Sequence, residues 1–319
     1  MTPFIALAPM EGVVDFVVRD LLTRIGGIDL CVTEFVRVTD KVLPDHVFHK
    51  YCPELKNGGK TQNGVPCFVQ LLGGQPEPLA ANAERVWALG APGVDLNFGC
   101  PAKTVNRHDG GATLLKNPDR LYKIISTIKQ RLPDDYPVTA KVRLGFDDKS
   151  LAEDIARAVS EAKAYRLTIH ARTRAEGYRP PAHWEYIRKM RDVSTVPVVA
   201  NGDIWSVDDY FRCREISGCD NIALGRSLIA KPDLARLIKW ATTLKAGDPL
   251  SWQQILTSYL PDFLTSTLAF REPPYAVARM KQYVKMMTRE FPEAEATFSQ
   301  IKTMQKIDEI ADYFKRSTT

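Results

Sequence analysis

The chain has 319 residues, 45% hydrophobic and 25% charged, with a net charge of +5. That length excludes a minimal domain and three full ones, and suits one barrel of roughly 250 residues with a small appendix. No run of about 18 apolar residues occurs, which excludes a transmembrane helix; the mild positive charge permits an acidic partner without requiring one.

The opening segment MTPFIALAPMEG lacks a charged leader and a long apolar stretch. It reads as a first buried strand and not a signal peptide, so a cytoplasmic protein is expected. The six cysteines (Cys31, Cys52, Cys67, Cys100, Cys213 and Cys219) form no C-x-x-C pair. That argues against a zinc knuckle or a disulfide framework and predicts reduced thiols, mostly small core residues. No His/Cys/Asp set has ligand spacing, so no metal is expected.

Strand candidates follow in chain order: Phe4 to Ala8, Leu30 to Glu34, Cys67 to Leu72, Val94 to Asn97, Val138 to Val142, Leu167 to His170, Val198 to Asn201 and Asn221 to Gly225. Most are nearly continuously apolar, as strands buried on both faces are. Amphipathic stretches of helical period lie between most of them, such as Leu79 to Leu89, Leu121 to Arg131 and Leu151 to Ala164. Eight such repeats predict an α/β fold, a closed (β/α)₈ TIM barrel. A polar excursion from Val36 to Val65 interrupts the rhythm; long loops at that end of a barrel are usually functional or lid-like. From Trp252 onward only helical periodicity remains. The predicted division is a barrel over residues 1–244 and a small all-helical domain over 245–319.

The working residues of such a barrel stand where its strands end. After the first strand, Pro9 and Gly12 form a tight turn, either an ordinary connection or a close approach to a planar ligand. Gln70 interrupts the third strand as a core amide or as a ligand for a ring edge. The fourth strand gives DLNFGCPAKTVNRHDGGATLL. Asn97 ends it, and Cys100 follows in a Gly99-Cys100-Pro101 turn that aims the thiol. Lys141 and Arg143 alternate in the fifth strand, His170 and Arg172 at the end of the sixth. Each pair shares a face, either as internal ion-pair partners or as a cationic wall against an anion. Asn201-Gly202-Asp203 and Gly225-Arg226-Ser227 end the last two strands, where barrels form a phosphate cup. No G-x-G-x-x-G follows any strand, so the cup predicts a mononucleotide. FMN fits this set, with its phosphate in the cup and Lys141 near the ring.

LAPMEGVVD, NFGCPAKTVNRHDGGATLL, KVRLG, HARTRAEGY, VVANGDI and GRSLI, in this order, resemble the tRNA-dihydrouridine synthases over essentially the whole chain. VTEFVRV and AVARMKQYVKMM look most like the family's bacterial C-type branch. The resemblance implies reduction of a uridine in the tRNA D-loop, at position 16 for that branch. It implies that Pro9, Met10 and Glu11 line FMN and that Gln70, Lys141 and His170 bind it. Asn201, Gly202, Asp203, Gly225 and Arg226 would hold its phosphate end. Cys100 would donate the proton, with Asn97 and Arg172 at the target uracil. NADPH or NADH would re-reduce FMN. Lys281, Lys285 and Arg289, spaced i, i+4, i+8, form one cationic stripe that would grip tRNA. A monomer is expected, because tRNA must lie across the barrel mouth. Two departures stand out: Phe98 where similar sequences often have Met or Cys, and Asp203 where the C-type pattern often has Glu. Two rival readings are an FMN barrel enzyme with a small pyrimidine substrate and a non-catalytic RNA-binding protein. The first leaves the helical appendix without a use, and the second leaves Cys100, Lys141 and His170 without one.

Overall fold

Strands β1 (Ile5–Leu7), β2 (Leu30–Arg37), β3 (Cys67–Leu72), β4 (Val94–Asn97), β5 (Val138–Arg143), β6 (Arg166–His170), β7 (Val198–Asn201) and β8 (Ile222–Leu224) alternate with helices in the computed structural model, which describes residues 2–317. They form a closed barrel in sequence order. Every neighbouring pair is parallel, and β8 returns to β1 with Ala223 opposite Ala6. The expected (β/α)₈ barrel is therefore the observed fold.

The connecting helices start where the sequence supplies caps. Asp15 accepts from the Val18 N–H at the head of Phe16–Ile25. Pro76 and Pro118, whose missing N–H costs nothing in a first turn, open Pro76–Ala88 and Pro118–Arg131. Ser206 and Asp209 form a reciprocal capping box on Val207–Ser217, and Gly218 ends that helix in the left-handed region.

Alternation along the strands sorts side chains between two compartments. Ile5, Leu7, Val69, Val94, Leu96, Val138, Ala140 and Ile169 belong to the large core that includes the surrounding helices. Ala6, Ala8, Leu30, Val32, Phe68, Val199 and Ala223 form a separate apolar cluster from the opposite strand faces. Gly93 makes room for it: a Cβ there would come within 2.4 Å of the Phe68 ring.

The excursion after β2 is a packed structural element. It contains the helix Asp45–Tyr51 and a 3₁₀ turn Pro53–Asn57, with Phe48 and Cys52 fully buried. Buried Arg19 fixes it, donating from Nε (2.7 Å) and Nη2 (2.9 Å) to the two Glu54 carboxylate oxygens and from Nη2 to the Tyr51 carbonyl.

Beyond the helix Leu234–Thr243 the described residues form only helices, chiefly Leu260–Leu268, Pro273–Met287, Glu293–Ile301 and Ile307–Arg316. Phe263 stacks on Tyr283 with centroids 4.4 Å apart. Phe270 meets Phe16 edge-on, so this helical part packs against the first helix of the barrel. Arg279 is 5% exposed and donates to the carbonyls of Gly12 and Val13, each at 2.6 Å. The helix Pro273–Met287 is thereby tied to the loop after β1.

Candidate active site

A cavity of about 520 Å³ opens among the strand ends and their following loops, a volume suited to a cofactor or small ligand. Its lining brings together the loop after β1, the turn after β4 and the ends of β5 through β8. One residue of the helical part, Met286, also reaches it.

The turn after β4 is fixed on every side. Asn97 Oδ1 accepts from the N–H groups of Gly99 (3.0 Å) and Cys100 (2.9 Å). The Gly99 carbonyl accepts from Arg143 Nε at 2.8 Å. The Cys100 carbonyl accepts from Asn106 Nδ2 and the Ala112 N–H. Gly111 sits directly behind at φ +61°, where a Cβ would lie 3.1 Å from that of Cys100. The paired glycine in the motif is therefore a packing requirement. Gly99 itself does not adopt a positive φ; hydrogen bonds, not an unusual glycine angle, aim the thiol. Burial pushes the Cys100 thiol above its ordinary value, with the Glu11 carboxylate adding to the effect and the Ala102 N–H opposing it. The group is a neutral S–H at physiological pH, suited to donating a proton and not to nucleophilic attack.

Alternate residues of β3 to β7 form the cavity floor. Gln70 donates from Nε2 to Asp95 Oδ2 at 2.7 Å and accepts from Asn97 Nδ2 at 2.9 Å. Lys141 donates to Asn201 Oδ1 at 3.2 Å. Burial lowers its pKa to about 8, helped by Arg143 and opposed by Asp95, although the cavity leaves part of the side chain open. His170 is held well below its ordinary range by burial and by Arg143, Lys141, Arg172 and Arg226, so its imidazole is neutral.

The far wall has the geometry of an anion cup. Gly202 has φ +121°, and a Cβ there would touch the His170 ring at 3.0 Å. Among the described residues the N–H groups of Gly202, Asp203 and Gly225 have no hydrogen-bond acceptor. The Asp203 carboxylate does not oppose an anion alone, because it is paired with Arg172 and lies 3.7 Å from Arg226.

The chain matches the family described as Dihydrouridine synthase (Dus) over residues 6–318. It is 50% identical over 306 residues to the tRNA-dihydrouridine(16) synthase of Aquipseudomonas alcaligenes, across 96% of this chain and 97% of that one. The chain belongs to the dihydrouridine synthase family. Another relative, the tRNA-dihydrouridine(16) synthase of Pseudomonas putida, is 51% identical over 298 residues, across 93% of this chain and 92% of its own. Among solved structures, a variant of NCR from Zymomonas mobilis aligns with a TM-score of 0.52 at 15% identity, over 76% of this chain and 88% of that one. That likeness extends to the fold alone.

Most residues expected in a dihydrouridine synthase site line this one cavity: Pro9, Met10, Glu11, Gln70, Asn97, Cys100, Lys141, His170, Asn201, Gly202, Asp203, Gly225 and Arg226. Of the two expected uracil contacts, Asn97 lines the cavity, with its carbonyl spent on the Gly99 and Cys100 N–H groups and one amide hydrogen on Gln70. Arg172 is fully buried behind Asp203, donating to the Arg179 carbonyl, and does not line the cavity. The excursion after β2 does not line it either; only Phe35, within β2 itself, does. The expected cationic stripe is not uniform. Lys285 pairs with Glu295 at 3.3 Å, whereas Arg289 lies 3.6 Å over the Trp205 ring beside the cavity.

Several site residues had no role in the motif reading. Tyr178, 55% exposed, stands at the mouth between the guanidiniums of Arg143 (5.2 Å) and Arg226 (4.9 Å). Trp205 continues the wall under Arg226 and Arg289. An exposed tyrosine inside an arginine-rich motif, HARTRAEGYR, was the available signal. A separate cluster, Cys52, Glu54 and Cys67, has ligand atoms within 4.8 Å of one another. Both Glu54 oxygens are engaged by Arg19, and a buried guanidinium disfavours a cation there.

Proposed function

We propose that this protein is an FMN-dependent tRNA-dihydrouridine synthase that reduces the C5=C6 bond of uridine 16 in the D-loop. The observation that carries this reading is a neutral thiol, on a turn held by Asn97, Arg143, Asn106 and the Ala112 N–H, in the wall of a cavity with a lysine floor and an anion cup. Position 16 rests on the relatives described above.

The residues fit FMN by their chemistry. Free N–H groups at Gly202, Asp203 and Gly225, with Arg226, suit its phosphate. Lys141 and Gln70 suit the polar edge of its ring, and neutral His170 adds a donor without further positive charge. Pro9, Met10 and Glu11 complete the wall. When bound and reduced, FMN supplies the hydride equivalent that adds to C6.

The chain's own part is placement and the proton. Addition at C6 leaves negative charge spread over C5 and O4, because C5=C6 is conjugated to the C4 carbonyl. Cys100 Sγ delivers its proton to C5 as a general acid and regains one from solvent. Asn97 and Arg143 keep the sulfur in place by gripping the turn on both sides. Tyr178 offers the target base a flat surface at the mouth. NADPH or NADH supplies two electrons per turnover in a separate half-reaction.

A base must leave the folded tRNA to reach this depth, at a cost of a few kcal/mol. Residues 245–319 act as the tRNA-binding part, with Lys281, Lys285 and Arg289 on phosphates; residues 1–244 form the catalytic barrel. The working unit is one copy of the chain in the cytoplasm. No helix among the described residues is long and apolar enough to cross a membrane.

The test is mass spectrometry of tRNA incubated with the purified protein and NADPH. A two-dalton gain at uridine 16 is expected. A gain at another D-loop position would refute the position, and no gain at any uridine would refute the activity.

A further inference from the structure

One buried acid below the cavity is used by none of the steps above. Asp95 is 3% exposed and lies on the same face of β4 as Asn97, two residues on. It accepts from Thr139 Oγ1 at 2.6 Å and from Gln70 Nε2 at 2.7 Å. Gln70 Oε1 accepts from Asn97 Nδ2, and Asn97 Oδ1 accepts from the Gly99 and Cys100 N–H groups. Four side chains on β3, β4 and β5 thus form one hydrogen-bonded line running to the turn that carries the thiol.

The direction of this line matters. An amide reverses its donor and acceptor ends by a flip, so Gln70 and Asn97 alone carry no fixed orientation. Burial raises the Asp95 pKa, against the hydrogen bonds from Gln70 and Thr139 and the charge of Lys141; ionised, its carboxylate offers only acceptors. Placed at the end of the line, it forces the Gln70 NH₂ toward itself and the Gln70 carbonyl toward Asn97. That in turn leaves the Asn97 carbonyl for the Cys100 turn. Flipping Gln70 alone would set two NH₂ groups face to face; flipping both amides would turn the Gln70 carbonyl onto the carboxylate and take the acceptor from the Gly99 and Cys100 N–H groups.

We propose that Asp95 is a positioning residue that acts through Gln70 and Asn97 to lock the Cys100 turn, and so sets where the thiol stands against the substrate. Its part in turnover rests on the proton-donor reading of Cys100; its effect on the thiol's position does not. Asp95 also lies near Lys141 and favours its charged form. The two routes separate chemically: asparagine removes the charge but keeps an acceptor for Gln70, its orientation fixed because Thr139 Oγ1 can turn its hydrogen to the Val94 carbonyl (3.4 Å) and accept from the NH₂.

The experiment compares Asp95→Leu and Asp95→Asn in cofactor-free protein by the rate at which iodoacetamide alkylates Cys100, located by peptide mass spectrometry. The other five thiols are 0–4% exposed and serve as internal controls for folding. Asp95→Leu is expected to speed Cys100 alkylation about tenfold, the equivalent of one lost hydrogen bond. Asp95→Asn is expected to alkylate near the wild-type rate and to restore most of the turnover that leucine loses. If leucine prevents folding, Asp95→Ala, which adds no bulk, takes its place with the same expectation. Wild-type alkylation in the leucine or alanine protein would overturn the proposal. So would an asparagine protein as reactive as leucine, which would assign the effect to charge. Because alkylation reads the thiol's position directly, the result stands even if Cys100→Ala proves active and the proton-donor reading fails.

Discussion

The two ends of the barrel interior are made by the same strands with opposite chemistry. Toward the strand starts, Ala6, Leu30, Val32, Phe68 and Val199 fill the interior with apolar atoms. Toward the strand ends, the same inward faces carry Gln70, Asp95, Asn97, Thr139, Lys141, Arg143, His170 and Asn201; six of them bond to one another, and Arg143 donates to the Gly99 carbonyl. The lower layer closes the barrel by burial alone. The upper layer is expensive to build, since each desolvated polar group must find a partner, and that cost is tolerated where chemistry is done.

This contrast is sharpest if stability and activity can be separated. Phe68→Ala removes the largest side chain of the lower layer and should cost about 3–5 kcal/mol of stability, read from denaturant midpoints. Turnover per folded molecule should stay unchanged. A parallel loss of turnover would mean the two layers are not independent.

Lys141 tests the upper layer by pH. Its pKa in the folded, cofactor-free protein is lowered to about 8 from an ordinary 10.5. Between those values the unfolded chain binds more protons than the folded one, so this group's contribution to stability rises with pH across that window. The cofactor should bind less tightly as pH rises above about 8, because the ammonium that faces it loses its charge. Lys141→Met should bind the cofactor weakly and show neither dependence, as titrations and melting curves at several pH values would reveal. A binding profile for Lys141→Met that still fell above pH 8 would assign the dependence to another group.

The smallest effect belongs to the outer face of the helical part. Lys285 and Glu295 are each more than half exposed, so Lys285→Ala should change stability by less than about 1 kcal/mol. Its tRNA affinity should weaken and become less dependent on salt, as loss of one phosphate contact requires. Unchanged affinity would remove Lys285 from the proposed tRNA surface.

Much of this was legible in the sequence because strand burial and motif spacing are local properties. β3, β4 and β7 have the predicted bounds, and the interruptions of their apolar pattern at Gln70, Asn97 and Asn201 all line the cavity. Whether an inward polar residue meets the cavity or a neighbour depends on pairing across strands. Arg172 reads like a site residue by alternation but is turned behind Asp203. Asp95, to which the motifs give no role, joins a hydrogen-bonded line through Gln70 and Asn97. The excursion after β2 reads as functional or lid-like, and long-range contacts such as the Arg19 to Glu54 pair show it to be an anchored element. Tyr178 and Trp205 were not distinguishable from other aromatics until the loops after β6 and β7 placed them at the mouth.

The proposed reaction turns on the thiol of Cys100, and the most direct measurement is single-turnover reduction of tRNA by the Cys100→Ala protein preloaded with reduced cofactor. Retained yellow colour after oxidation and retained tRNA binding are predicted, with the two-dalton gain at uridine 16 slowed by about 10²- to 10⁴-fold, the range for loss of a general acid. Reduction at the wild-type rate in that variant would contradict the assignment of the proton to Cys100.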